Sequence, residues 1–432
     1  MKLLFQEIRP MRKKDIIIGI KANNQNASVW LFYGLLLFFV FEYARPGSYL
    51  PILDDLKINT IIPVSVFLLS LLSKGRPSTL EILNMKNTLW FIIFLSLFFL
   101  SVLTADVTYY VFTRFLAVLG YILAYFTIIK IISTEKRHAT LFTLLLAIHI
   151  TLLLLNPGVI LNPESRHYLS GVTFLGDGND FALSLCIVIP FAIYLIQTEK
   201  TKSKKIILLF ILGICVFAVI GTQSRGGFIA LSALFLYFCM KSEKKLQILL
   251  ASVIIAIIVG IFTPAEFYDR ILSIKDYETE GSAQGRIMAW KSAIRMALDN
   301  PITGVGAGHF PVKYGVEYRP DGVGRTDIPW STAHSIYFLI LGEFGFPGLI
   351  FLIGIILFNL WRCNNTIKSL EKDKLRNIDN WKKLAIAMNS SLIGFAVGSA
   401  FLSSLYYPHL YVLAALLEST NRMYWGHNAE TA

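Results

Sequence analysis

Apolar residues occupy this chain in long blocks separated by short polar breaks. Twelve blocks stand out, at 29–44, 58–73, 88–104, 107–129, 139–156, 178–197, 206–222, 226–240, 246–263, 334–361, 384–404 and 408–421. A helix needs about 20 apolar residues to cross a bilayer, so repeated blocks of this kind predict transmembrane helices rather than buried core strands. The expected fold is all-α: a polytopic helical membrane protein with about twelve spans. Two polar intervals exceed a turn, 157–177 and 264–333. Inside the longer one a helical pattern returns between Gln284 and Leu298, with Ile287, Trp290, Ile294 and Ala297 on one stripe. The simplest organisation is one integral membrane domain, 29–421, between a basic interfacial segment, 1–28, and a short tail, 422–432.

Composition agrees with the pattern. Hydrophobic residues make up 55% of the 432 positions and charged residues 16%, against about 25% charged in soluble domains. The net charge of +12 raises the question of nucleic acid, but Lys and Arg cluster in the short loops and no basic-aromatic module is visible, so no nucleic-acid partner is expected. Basic residues gather at Lys74, Arg76 and Lys86, at Lys130, Lys136 and Arg137, at 199–205, at Lys241, Lys244 and Lys245, and between Arg362 and Lys383. The alternate loops hold few. By the positive-inside rule both termini are then cytoplasmic and 264–333 is a long periplasmic loop with helical segments. The basic segment 1–28 does not read as a cleavable signal. Three of four cysteines lie within apolar blocks and none in the long loop, which argues against a disulfide framework or a cysteine metal site.

Polar residues at the breaks are the candidates for chemistry. Arg286 lies beside Trp290 and Ala293 at the edge of the apolar face, whereas Lys291 and Arg295 point the other way. In the first turn of a helix a cation opposes the macrodipole, so an arginine there suits an anion in front of it. Arg225, in TQSRGG, opens the next apolar block on the sparsely basic side, and Gly226 and Gly227 would let backbone approach a ligand. His334 follows Ser331 and Thr332, either of which fits a helix N-cap; a neutral imidazole in a first turn is able to accept a proton. Arg114, a charge inside the fourth block, and Glu343, in GEFGFPG, are candidates of second rank. For Asp177 and Asp180 helix capping is the cheaper reading, and His167 and His309 have no evident partner. No HExxH, CxxC, Walker-type loop or DxD pair is present, so neither a metal nor a cofactor is expected.

Four stretches give a resemblance: SRGG opening a block, GRIMAW and NPITGVGAGHF in the long loop, and AHSIYFLILGEFGFPG leading into the next block. Together, over about 205–360, they resemble the O-antigen ligase and polymerase superfamily of bacterial membrane glycosyltransferases. FEYARP near the start resembles a ligase-like branch associated with exosortase systems. The resemblance implies a metal-independent, inverting transfer at the periplasmic face of the inner membrane. A glycan would move from undecaprenyl diphosphate to an acceptor hydroxyl, with lipid A core as the leading acceptor. It implies that Arg225 and Arg286 bind the lipid diphosphate and that His334 activates or orients the hydroxyl. A polymerase or a ligase acting on another glycan or on protein fits the same residues. A membrane transporter, given the span count, and a non-catalytic scaffold or channel component are the readings from other classes.

Overall fold

The structure is a computed structural model that describes residues 29–73, 77–161, 174–241, 281–319, 331–372 and 378–431. Segment 1–28, the block 246–263, and Arg166 and His167 lie outside the described residues. Every regular element described is a helix. The principal ones are α1 Val29–Phe39, α2 Ile58–Leu72, α3 Lys86–Ser101, α4 Thr108–Ile131, α5 Glu135–Leu155, α6 Gly178–Thr198, α7 Lys202–Gly221, α8 Arg225–Lys241, α9 Gly281–Asp299, α10 Phe310–Val316, α11 Ile336–Lys372, α12 Ile378–Gly398 and α13 His409–Thr431. Helices thus occupy every apolar block within the described residues. Six are long and apolar enough to cross a membrane: α4, α5, α6, α7, α11, and α12 extended as Asp379–Phe401. The apolar helices α2 and α3, and α1 with its continuation to Ala44, are shorter.

Sequence chemistry accounts for several boundaries. Asp177 accepts from the Asn179 N–H at the start of α6, and Thr134 accepts from the Arg137 N–H at the start of α5, each satisfying a backbone donor that a helix end leaves open. α6 is the centre of the body, with 83% of its apolar window buried, against 28% for neighbouring α7. It packs on α12, whose Ser391 hydroxyl reaches the Ile187 carbonyl at 2.8 Å. α3 packs on α11 through rings, with Phe94 stacked on Phe351 at 4.3 Å between centroids. Farther along α11 a polar group is buried among helices. Arg362 makes a two-pronged ion pair with buried Glu418 of α13, and Asn87 donates to both Glu418 and Asn359 at 3.0 Å.

α11 contains a break that positions the candidate site. Gly345 leaves the helical region, with φ 64° and ψ −159°, and Pro347 follows. In an unbroken helix the Gly342 and Glu343 carbonyls would accept from residues 346 and 347. Phe346 instead donates to the Pro301 carbonyl at 2.9 Å, and Pro347 has no N–H. The two freed carbonyls are taken by the Val305 and Gly306 N–H groups, at 2.9 and 3.2 Å. The stretch NPITGVGAGHF is therefore stitched, backbone to backbone, onto the break in GEFGFPG. Glycine is required at both faces of the seam. Gly304 also has a positive φ, and a Cβ there would lie 2.3 Å from the Glu343 carbonyl carbon, while one at Gly345 would lie 2.4 Å from the Pro301 oxygen.

Candidate active site at one end of the helical body

His334 lies just outside α11. The helix begins at Ile336, and Ser335, not Ser331 or Thr332, accepts the first backbone bond, from the Leu339 N–H at 2.9 Å. The capping reading is therefore corrected: both hydroxyls have other work. Ser331 Oγ is 3.1 Å from the imidazole Nε2 of His334, and Thr332 Oγ1 donates to Ser403 Oγ at 2.8 Å. The residue between them and His334 is also held, since Trp290 Nε1 donates to the Ala333 carbonyl at 2.9 Å. His334 itself is half-buried and has φ 47°, a left-handed conformation uncommon for a residue with a Cβ. Strain of this kind persists only where surrounding contacts over-determine it, and such positions cluster at functional sites.

Arg286 sits on α9, which packs against α11. The helix already runs from Gly281, so Arg286 is inside it rather than in its first turn, and the macrodipole argument loses most of its force. The apolar stripe is also rotated from expectation. Ala289, Ala293, Met296 and Ala297 are fully buried, whereas Ile294 is 43% exposed. The face that meets α11 mixes these alanines with Met296 and the Trp290 ring, and the branched residue is displaced outward. Arg286 lies one turn before Ala289 and Trp290, in line with this buried stripe, and is half-buried; Lys291 and Arg295 are exposed. The distinction drawn between Arg286 and its basic neighbours holds on this rotated face.

Arg225 is the first residue of α8 and half-buried. The Ser224 hydroxyl accepts from the Gly227 N–H at 3.0 Å, capping the helix. The two glycines do not face open space, as expected of a ligand approach. A Cβ on Gly227 would stand 2.6 Å from Ala182 Cβ, and one on Gly226 would stand 2.8 Å from Phe401 Cβ. They are small because α8 crosses α6 and the segment after α12 at close range.

That segment, 399–408, is the part of the site that sequence reading missed. It was taken as the end of one block and a three-residue turn. It forms two short 3-10 turns, Ser399–Phe401 and Ser404–Tyr406, and touches several of the candidate regions. Phe401 meets Gly226, Ser403 accepts from Thr332, and the Tyr407 hydroxyl donates to Asp180 at 3.2 Å. Tyr406 donates its hydroxyl to the Glu343 carboxylate, while the Arg114 guanidinium lies over its ring at 4.7 Å. The two second-rank candidates are thus brought together, one on each side of Tyr406. Glu343 is buried and also accepts from the Phe310 N–H at 3.3 Å; Arg114 is exposed.

His309 gains partners too. Its Nε2 accepts from the Val107 N–H at 3.0 Å, which leaves the ring proton on Nδ1, 3.1 Å from the Ala307 carbonyl. It is a buried strut between the glycine turn and the start of α4. The described contacts link the segments that carry Arg225, Arg286 and His334: α9 to the His334 loop through Trp290, that loop to 399–408 through Ser403, and 399–408 to α8 through Phe401. Among the described residues no group of three or more His, Cys, Asp or Glu residues is placed to hold a metal ion.

Several apolar helices of spanning length point to an integral membrane protein. Residues 207–353 match the family model described as O-Antigen ligase, in support of the O-antigen ligase superfamily. That family implies a function of the O-antigen ligase or polymerase type. No curated protein matches the chain. The matched interval runs from α7 into α11. It takes in Arg225, Arg286, His334 and Glu343 and leaves out Arg114 and the 399–408 segment.

Proposed function

We propose that the protein is an O-antigen ligase-type glycosyltransferase that moves a glycan from undecaprenyl diphosphate to an acceptor hydroxyl, with lipid A core as the leading acceptor. The reaction takes place at the periplasmic face of the inner membrane, both termini being cytoplasmic. The observation that carries this reading is the His334 loop. A strained histidine is held between the helix of Arg286 and a segment that reaches the helix of Arg225, within the interval that matches the ligase family.

Arg225 and Arg286 bind the diphosphate. Guanidinium groups offer paired donors to phosphate oxygens and offset the negative charge that builds on the leaving group. His334 takes the proton of the acceptor hydroxyl as its oxygen attacks the anomeric carbon. The new C–O bond forms as the bond to the diphosphate oxygen breaks, with inversion at that carbon. Undecaprenyl diphosphate leaves with the bonding pair, and the proton passes from the imidazole to solvent. The chemistry draws on arginine and histidine alone and is metal-independent.

The test is His334→Ala with purified protein, donor and acceptor. Turnover should fall by about 10²–10⁴-fold, the usual share of general acid–base catalysis, while the protein stays folded and binds undecaprenyl diphosphate. Wild-type turnover by this variant would eliminate the mechanism. Loss of diphosphate binding alone would move His334 into the anion site.

A further inference from the structure

We infer that Trp290 is a positioning residue that holds His334 in its working conformation and ties the base to the helix that carries Arg286. The inference rests on the reading of His334 given above and adds a residue to it. Within GRIMAW, Trp290 sits one turn after Arg286 on the same face of α9. Its ring stacks on Phe338 of α11, with centroids 4.9 Å apart and planes 11° from parallel. Hydrophobic packing would be complete with that stack. The indole nevertheless also spends its one polar group on a specific target, the carbonyl of Ala333, at 2.9 Å.

The choice of target is informative. The Ala333 carbonyl belongs to the peptide unit whose nitrogen is that of His334. A bond to it therefore fixes the plane about which φ of His334 turns. That φ is 47°, a well that a residue with a Cβ leaves readily unless held. The opposite side of the loop is held by Thr332 to Ser403 at 2.8 Å, and the imidazole by Ser331 at 3.1 Å. Ser403 and Ser331 belong to flexible hydroxyl contacts. Trp290 is the rigid anchor, since the stack on Phe338 fixes both the direction and the depth of its N–H. A base displaced by about 1 Å loses on the order of 10²-fold in rate, so an anchor two bonds from the His334 nitrogen has leverage out of proportion to a single hydrogen bond.

The experiment is a double-mutant cycle in the full-length protein, with Trp290→Phe, His334→Gln and the pair. Phe keeps a ring on Phe338 and removes the N–H. Turnover of undecaprenyl diphosphate-linked glycan and affinity for undecaprenyl diphosphate are measured for each. Trp290→Phe should lower kcat about tenfold to a hundredfold. Its affinity for undecaprenyl diphosphate should stay within about twofold of wild type, and in the His334→Gln background it should change turnover by less than about twofold, because no base remains to be held. An equal loss in both backgrounds would make Trp290 a packing residue, and wild-type kcat in the single variant would show the N–H to be idle; either result overturns the inference. Wild-type turnover by His334→Gln instead removes the base, and with it the role assigned to its anchor. Should Trp290→Phe fail to fold, benzothienylalanine at position 290 keeps the bicyclic ring and removes only the N–H, and the same outcomes decide.

Discussion

The Gly345 break inside α11 and the His334 loop just before it, about ten residues apart, show how differently one helix is held at two places. At the Gly345 break the contacts run between main chains. Freed carbonyls meet N–H groups, the tight positions belong to glycine, and the buried carboxylate of Glu343 is engaged from two sides. At the His334 loop the contacts run through side chains. A non-glycine residue carries the positive φ, and the polar groups are half-buried. The first place is a frame, with its backbone groups satisfied and its geometry fixed by sterics. The second is a loaded position whose conformation is imposed from outside. Of the four stretches that carry the family resemblance, NPITGVGAGHF and GEFGFPG belong to the frame. SRGG, GRIMAW and the AHS that opens the last stretch belong to the proposed site.

The comparison is broken most severely at the frame. Gly345→Val places a branched Cβ 2.4 Å from a backbone oxygen at a φ of 64°, with nothing flexible to yield. A cost above about 4 kcal/mol is expected, so little folded protein should be recovered from detergent extraction and size exclusion. A monodisperse, normally melting Gly345→Val protein would show that the seam is not structural.

At the site the fold should survive and activity should not. Arg286→Ala is expected to lower kcat/KM by about 10²-fold through loss of charge-assisted bonds to the diphosphate. Arg286→Lys should lose much of the same, because a point charge lacks the forked donor geometry. Arg295→Ala, on the exposed side of the same helix, should change folding stability by no more than about 0.5 kcal/mol and leave turnover near wild type. Equal tolerance of the two alanine variants at matched expression would return Arg286 to the surface arginines.

The smallest effect sharpens the boundary. Glu343→Gln keeps one acceptor but turns an amide donor towards Tyr406 or the Phe310 N–H. A stability loss of about 1–3 kcal/mol is expected, read by thermal unfolding, with turnover per folded molecule close to wild type. A selective loss of turnover at unchanged stability would instead put Glu343, and with it Arg114, into the chemistry.

Much of the helix order was legible because hydropathy reports the length of apolar runs directly. The separation of Arg286 from Arg295 was legible because the helical period is fixed. What escaped depended on which neighbour a face would meet. Ile294 promised burial by its hydrophobicity, yet the alanines are inside, because the neighbouring helix and not the residue's own hydrophobicity decides which face is covered. Ser331 and Thr332 have the pattern of a cap, but Thr332 found a partner 71 residues away. The role of 399–408 had no local sign, since the contacts that give it that role reach residues distant in sequence.

The Arg362–Glu418 pair bears on how the molecule is made. α13 follows every other described helix along the chain, so ribosomes release it after them. Until it inserts, Arg362 lacks the carboxylate of Glu418 and Asn87 lacks one of its acceptors, in surroundings where an unmatched charge is costly. The same late helix begins directly after 399–408, the segment that meets the stretches carrying Arg225 and His334. Insertion of this late helix, assembly of the bundle and assembly of the proposed site therefore coincide. A chain interrupted before His409 would carry the Arg362 guanidinium without Glu418 and the 399–408 segment without the helix that follows it.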